Sequence, residues 1–349
     1  MAACFLCVRR GQVCRAHLEA YEMYLIRTDT TDPAYNLAAE EFLLKQKRGD
    51  IFYLWRNKPS IIIGKNQNAY SEIDVDYVRD HGIQVVRRLT GGGAVFHDLG
   101  NINFTFIATQ KEAGADVSFE RFTRPVVDFL RSLGLDAAFS GRNDIQVSGY
   151  KISGNAQTRF GDRFMHHGTL LFGANMTDLS RALTVHPLKI QGKSIQSVRA
   201  RVANISEFLK EPMEITEFMD KLLAFVEAKY PDSEAYTLSK EDHAQIGRLC
   251  AEKYAQWGWN FGENPAYSFQ KTAKFDGGLI EVRMDIDGER ITGIRIAGDF
   301  FGVAEISELE AALTGVSHEP EAIRAALAGM DLVPYLGGIT TEQLIQTMF

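Results

Sequence analysis

The sequence predicts an α+β protein with a large domain followed by a smaller one. Three observations carry that reading. The chain is 349 residues long, more than one typical domain. Apolar runs of strand length alternate with stretches of helical period. A punctuated stretch over 234–265, with Asp232 and Ser233 just before it, separates two such series. Hydrophobic residues make up 45% and charged residues 24%, which suits a folded chain with a sizeable core.

The elements follow in order. Asp32 or Thr31 can cap a helix with Pro33 in its first turn, and Ala34, Leu37, Ala38 and Leu44 then share one face. IFYLW (51–55) and SIIIG (60–64) read as buried strands joined by a turn carrying Asn57 and Pro59. IDVDYVRDHG (73–82) reads as a helix ending at Gly82. IQVVRRL is the next strand. It leads into a glycine loop and a strand in which Ile102, Phe104 and Phe106 alternate with polar residues. A helix is expected over 117–133 from Phe122, Val126, Phe129 and Leu133, with Pro125 limiting where its first turn begins. NDIQVSGYKISGNAQ (143–157) reads as two strands around Ser148-Gly149, followed by the strand RFMHHGTLLF. Residues 213–229 form an amphipathic helix. Beyond the punctuated stretch, 275–300 reads as hairpin strands with Asp287-Gly288 as a turn, and helices are expected near 305–314, 319–329 and 340–348.

Composition removes several functions. The net charge is -7 and the pI is near 5.7, which argues against non-specific nucleic-acid binding, since that needs a broad cationic surface. No apolar run approaches the roughly 20 residues of a membrane span, so a soluble protein is expected. Of four cysteines, Cys4, Cys7 and Cys14 lie at the start and Cys250 stands apart, which fits a reducing compartment better than a disulfide framework. Cys4-x-x-Cys7 lacks the second pair that a structural zinc site needs. Residues 1–22 are arginine-containing and poor in acids. They read either as a transit peptide or as an upstream extension, with the extension preferred, because Met23 onward looks like a fresh start.

Three segments carry chemistry. In RRLTGGGAVFHDLGN (87–101) the glycines let a ligand approach the backbone, whose N–H groups can form an anion-binding nest. Arg88 at the strand end can contact a phosphate or carboxylate in bidentate fashion. The segment is not a P-loop, and a strand rather than a helix follows it, so it is not a dinucleotide fingerprint either. A plain glycine-rich turn remains the alternative. In GRNDIQVSGYKISGNAQTRFGDRFMHHGTLLF (141–172), Lys151 sits on a strand among small residues and reads either as a surface lysine or as one pointing into a cavity. His166 and His167 face opposite sides of a strand and cannot chelate one ion together. Asp144 is a candidate magnesium ligand alongside ligand phosphates. HPLKIQGKSIQSVRARVANI (186–205) is basic and reads as a lid over phosphates or as a solvated loop.

Together these segments resemble the lipoate–protein ligase A family. The glycine segment is similar to its ligand-binding signature, the lysine segment to its catalytic-lysine segment, and KSIQSVRARVANI to its adenylate-binding loop. DPAYNLAAEEFLL and YAQWGWNFGENP extend the likeness from about Met23 to the C-terminus. The resemblance implies the biotin/lipoate-ligase catalytic fold, with mixed sheets and packed helices, plus a small α+β C-terminal domain, divided as 23–250 and 251–349. It implies a two-step reaction. Lipoate and ATP, with magnesium, give lipoyl-adenylate, and the acyl group then passes to a lysine of an apo lipoyl domain, as in 2-oxo-acid dehydrogenase E2 subunits and the glycine cleavage H protein.

Carried over by position, the resemblance makes Lys151 the catalytic residue. It gives ATP and lipoyl-adenylate binding to Arg88, Gly92, Gly93, Ala94, Val95, Phe96, His97, Asn101, Lys151, Ser153 and Gly154. The adenylate loop is Lys193, Ser194, Val198 and Arg199, the lipoyl pocket holds Trp55 and His167, and Asp144 is the metal candidate. The acyl substrate is lipoic or octanoic acid, and bacterial cytoplasm is the expected location, or mitochondria if the leader is a transit peptide. The rivals are an octanoyl- or lipoyl-transferase of the same fold, which needs a core cysteine, a biotin ligase, and a non-catalytic homologue that holds lipoyl proteins.

Overall fold

The computed structural model describes residues 23–110, 118–183, 202–261, 269–287 and 289–349. Among them, eight strands form the main sheet in the order β11-β1-β2-β6-β10-β9-β8-β7. They are β1 (Met23–Arg27), β2 (Asp50–Trp55), β6 (Asn101–Thr109), β7 (Ala137–Ser140), β8 (Asp144–Val147), β9 (Tyr150–Phe160), β10 (Arg163–Leu171) and β11 (Ser233–Ala235). A second sheet, in the order β4-β3-β5, joins β3 (Ser60–Ile63), β4 (Gln84–Arg87) and β5 (Val95–His97).

The two-residue period of the central strands sorts their side chains onto two faces. Phe52 and Leu54 of β2 and Phe104 and Phe106 of β6 pack on the face covered by the helices Phe119–Ser132 and Ile215–Lys229. Ile51, Tyr53 and Trp55 turn the other way, toward helix α1 (Pro33–Lys45). The Asp32 side chain caps α1 by accepting from the N–H groups of Ala34 and Tyr35. At its other end the Arg163 guanidinium donates to the carbonyls of Leu43 and Leu44, which helix geometry leaves without partners.

Local expectations meet the structure with informative differences. The helix expected over 117–133 spans Phe119–Ser132, with Ser118 as its cap, and it runs through Pro125 instead of being limited by it. Proline forfeits one backbone bond, but Phe122, Val126, Phe129 and Leu130 still bury one face, and that packing prevails. Around the 148–149 turn, Ser148 and Gly149 both take positive φ, the geometry of a tight hairpin between β8 and β9.

The smaller body carries β12 (Phe269–Phe275), β13 (Gly278–Asp287) and β14 (Arg290–Gly298), in that order, under the helices Ile306–Leu313, Pro320–Leu327 and Thr341–Met348. The division expected at 250/251 falls inside a continuous helical segment, Lys240–Tyr254. Tyr254 and Trp259 pack with the α1 core, and both Tyr254 and Lys253 hydrogen-bond Glu41. We propose that the division lies beyond Phe261.

Candidate active site

The site lies where the α1-facing side of the central sheet stops being apolar. In register across adjacent strands, Trp55 pairs with Asn103 and Asn103 with Thr169. The row continues through Gly154, beside Thr169, to Asp144. Cross-strand partners share a face, so these residues form a floor running from an indole to a carboxylate. At the carboxylate end, Lys151 Nζ lies 2.7 Å from Asp144 Oδ1, with the lysine 39% and the aspartate 28% exposed. A cavity of about 170 Å³ stands on this floor, walled by Leu37, Ile62, the 92–95 loop, His97, Asn155, His167 and Phe301.

The glycine loop forms the opposite wall, and its two arginines have separate tasks. Arg87 is buried with backbone carbonyls for partners: those of Gly64, Lys65 and Gln67 on one side, and Trp259 and Asn260 on the other. Arg88 donates to Thr90 Oγ1, to the Ile62 carbonyl, and to the carbonyls of Gly91 and Gly93, at 2.7–3.0 Å. Its guanidinium therefore curls the loop around itself. Burial pushes both arginines down to about 10, still charged at neutral pH. Gly92 has φ of +91°, and a Cβ there would sit 2.9 Å from the Phe301 ring, so both conformation and space require glycine. Gly93 has open space at its Cβ position.

A buried chain of hydrogen bonds ties this loop to the floor. Arg88 Nε reaches Thr90 Oγ1, Thr90 Oγ1 lies 2.8 Å from His167 Nε2, and His167 Nδ1 lies 2.9 Å from Glu40 Oε1. Thr105 Oγ1 donates to the same carboxylate and accepts from Trp55 Nε1. The Glu40 carboxylate can only accept, so His167 Nδ1 carries a proton that faces it. His97, nearby, is pushed down to about 3 by burial, with Arg88 and His167 adding to the shift.

The structure brings together at the cavity Trp55, Arg88, Gly92, Gly93, Ala94, Val95, His97, Lys151, Gly154 and His167. It places Phe96 in the apolar core beside Ile61 and Ile63. Ser153 is buried under Asn155, and Asn101 lies behind Asn103, donating to its side-chain oxygen. His166 faces the opposite side from His167, stacked on Phe122, and burial holds its pKa well below the usual range. Lys193, Ser194, Val198 and Arg199 lie outside the described residues. The chain returns at Val202, which bridges to Lys151, and Ala203 N donates to the Lys151 carbonyl.

Among the described residues no cluster of three metal-ligating side chains occurs. Asp144 is paired with Lys151, so a divalent ion there would have to arrive with ligand phosphates. Cys250 does not line the cavity, and burial, with Asp32, raises its thiol pKa. Neither fact suits a thiol nucleophile. Sequence reasoning missed Glu40, Thr90, Asn103, Thr105 and Thr169. The available signal was the polar alternation of NINFTF, whose polar positions turn out to be buried.

Comparison with known proteins agrees with this architecture. Residues 32–227 match the lipoyl protein ligase A/B catalytic domain, and 264–348 the bacterial lipoate protein ligase C-terminus. Lipoate–protein ligase 1 of Staphylococcus aureus is 44% identical, covering 93% of this chain and 99% of that protein. The lipoate–protein ligase LplJ of Bacillus subtilis is 41% identical, covering 94% and 100%. Among solved structures, P. falciparum LipL1 in complex with lipoate superposes with a TM-score of 0.77 at 26% identity, covering 88% of this chain and 95% of that one. A lipoate–protein ligase A bound with ATP gives 0.61 at 29% identity, covering 69% and 99%. On sequence, domain content and fold alike, the chain belongs to the lipoate–protein ligase family.

Proposed function

We propose that the chain is an ATP-dependent lipoate–protein ligase, with Lys151 at its reacting centre. The observation that carries this reading is the placement of a partly exposed ammonium, held by Asp144, at one end of a cavity whose other end is the Trp55 slot and whose wall is the glycine loop. In the first step a lipoate carboxylate oxygen attacks the α-phosphorus of ATP and pyrophosphate leaves. In the second, the amine of an acceptor lysine attacks the acyl carbon, and AMP leaves. The Lys151 ammonium can stand between carboxyl and α-phosphate, opposing the negative charge that builds in the first step and polarising the carbonyl in the second. Magnesium, where bound with the nucleotide, would screen the phosphate charges. The glycine loop, with Gly93 open toward the ligand, lets the nucleotide approach main chain, while Arg88 keeps the loop curled.

The acceptors are apo lipoyl domains, and we place E2 subunits and the glycine cleavage H protein among them. No helix among the described residues is long and apolar enough to cross a membrane, and we assign the protein to the bacterial cytoplasm. The Ser153, Phe96 and Asn101 positions support the site from behind, and Lys193, Ser194, Val198 and Arg199 bind the adenylate. The test is lipoate-dependent AMP release with Mg-ATP, with and without an apo lipoyl domain. Lys151→Ala should lower it by about a hundredfold or more while leaving the fold intact. Acyl transfer from a carrier protein without ATP would refute the ligase reading.

A further inference from the structure

Two buried donors at the Trp55 end of the floor have no acceptor among the described residues. Asn36 Nδ2 donates to Asn57 Oδ1, which fixes the Asn57 amide so that its Nδ2 faces His97 Nδ1 at 3.1 Å. His97 Nδ1 therefore accepts, and the ring proton resides on Nε2, which is buried and unpartnered. Asn101 Nδ2 donates to Asn103 Oδ1 at 3.0 Å, which leaves Asn103 Nδ2 as a donor, again buried and unpartnered. His97 is 3% and Asn103 2% exposed, and both side chains line the cavity. Buried donors are rarely left unpaired, so such a pair in a cavity wall calls for a ligand acceptor.

Their position on the floor says which part of the ligand supplies it. Lys151 Nζ lies 3.5 Å from the Cβ position of Gly154. Asn103 stands two strands further along the row, about 10 Å away at the usual strand spacing. The His97 ring meets the Trp55 indole edge-on at 6.2 Å, at that same far end. With its carboxyl at Lys151, as the proposed function has it, an extended medium-length acyl chain reaches the donors with its tail.

We infer that His97 Nε2–H and Asn103 Nδ2–H receive the ring sulfurs of the dithiolane, and that they select the sulfur-bearing acid over a purely hydrocarbon one. Sulfur is a weak acceptor, but a methylene group is none. A hydrocarbon tail in the slot therefore strips water from both donors and returns nothing. This inference rests on the ligase reading and adds a specificity role for Asn103.

The experiment uses the full chain and compares lipoate with cyclopentyl-pentanoic acid, which keeps the ring shape and replaces both sulfurs by methylene groups. For the wild type, kcat/KM for acid-dependent AMP release should favour lipoate about tenfold. In Asn103→Leu that preference should shrink toward parity through loss on lipoate and gain on the carbocycle. Equal rates for the two acids in the wild type would overturn the inference. An equal loss on both acids in Asn103→Leu would do so too, because the donor would then serve an oxygen common to both. If the wild type releases no AMP with any acid, the ligase reading itself fails. Titration calorimetry of the same two acids then still decides the donors' role, with equal affinities overturning it.

Discussion

Gly93 differs from its neighbours in being free of local constraint. A Cβ at Gly64 would meet the Gly92 carbonyl oxygen at 2.0 Å, and one at Gly91 would meet the Phe300 carbonyl oxygen at 2.5 Å, whereas one at Gly93 meets nothing within 4 Å. Its φ is not in the left-handed region. Under the proposed function, glycine at this position serves what enters the cavity and not the fold. Gly93→Ala should leave urea-induced unfolding unchanged within about 0.5 kcal/mol, while the KM for ATP rises several-fold. A large loss of stability with an unchanged KM would contradict the assignment. The methyl group would occupy space a ligand needs, and the protein itself has no use for that space.

At the scale of elements, Arg87 links the strand it ends to two segments distant in sequence. One is the 64–67 turn after β3, and the other is 259–260, far down the chain. A planar guanidinium can serve several carbonyls at once, and an ammonium cannot reproduce that fan. Arg87→Lys should cost about 2 to 4 kcal/mol in urea unfolding and loosen the 259–260 segment first. A loss under about 0.5 kcal/mol would show that water replaces the missing donors without cost.

Elements of this kind also mark how far the sequence could be read. The strands, the α1 cap and the glycine loop were legible because each rests on local chemistry: period, Asp32 ahead of Pro33, three glycines in a row. The role of Arg87 was not legible, because nothing local in the sequence ties it to Trp259. Asn103 and Thr105 carried the reverse difficulty. Polar residues alternating with Ile102, Phe104 and Phe106 ordinarily mean a solvated face, and here they are covered by α1 and its Glu40. A polar strand face under a helix is a tertiary fact, visible only once the helix is in place.

Across the whole molecule, burying His97 and His166 makes stability depend on pH. Both are held below their ordinary value of 6.5, His97 down to about 3, because the interior disfavours the imidazolium. A histidine with a depressed native pKa contributes its stabilisation fully above the unfolded value. As pH falls below about 6.5 the unfolded chain takes up protons that the native chain refuses, so stability declines progressively toward about pH 3. Unfolding free energy measured across that window should fall, and His166→Gln, which removes one such group, should flatten the slope. A slope unchanged by that substitution would move the effect to other groups.

The smaller body also bears on the site. Gly298 N donates to the Asn66 carbonyl, Lys65 pairs with Glu305, and Phe301 lies against Gly92 with the Arg142 guanidinium over its ring. In this conformation the glycine loop is clamped between two bodies.

The backbone of Lys151 does a second job apart from its side chain. Its carbonyl receives Ala203 N where the chain returns to the sheet, and Val202 runs beside it as a parallel bridge. The residue that would hold the anion is thus also the mooring of the C-terminal end of the basic 186–205 segment. A proline placed at 203 would remove that hydrogen bond and with it one restraint, on the ångström scale, on where the ammonium sits. Charge stabilisation of a reacting phosphate is sensitive to that scale. Evolution or engineering could therefore adjust the rate from outside the cavity, along a mechanical lever one hydrogen bond long.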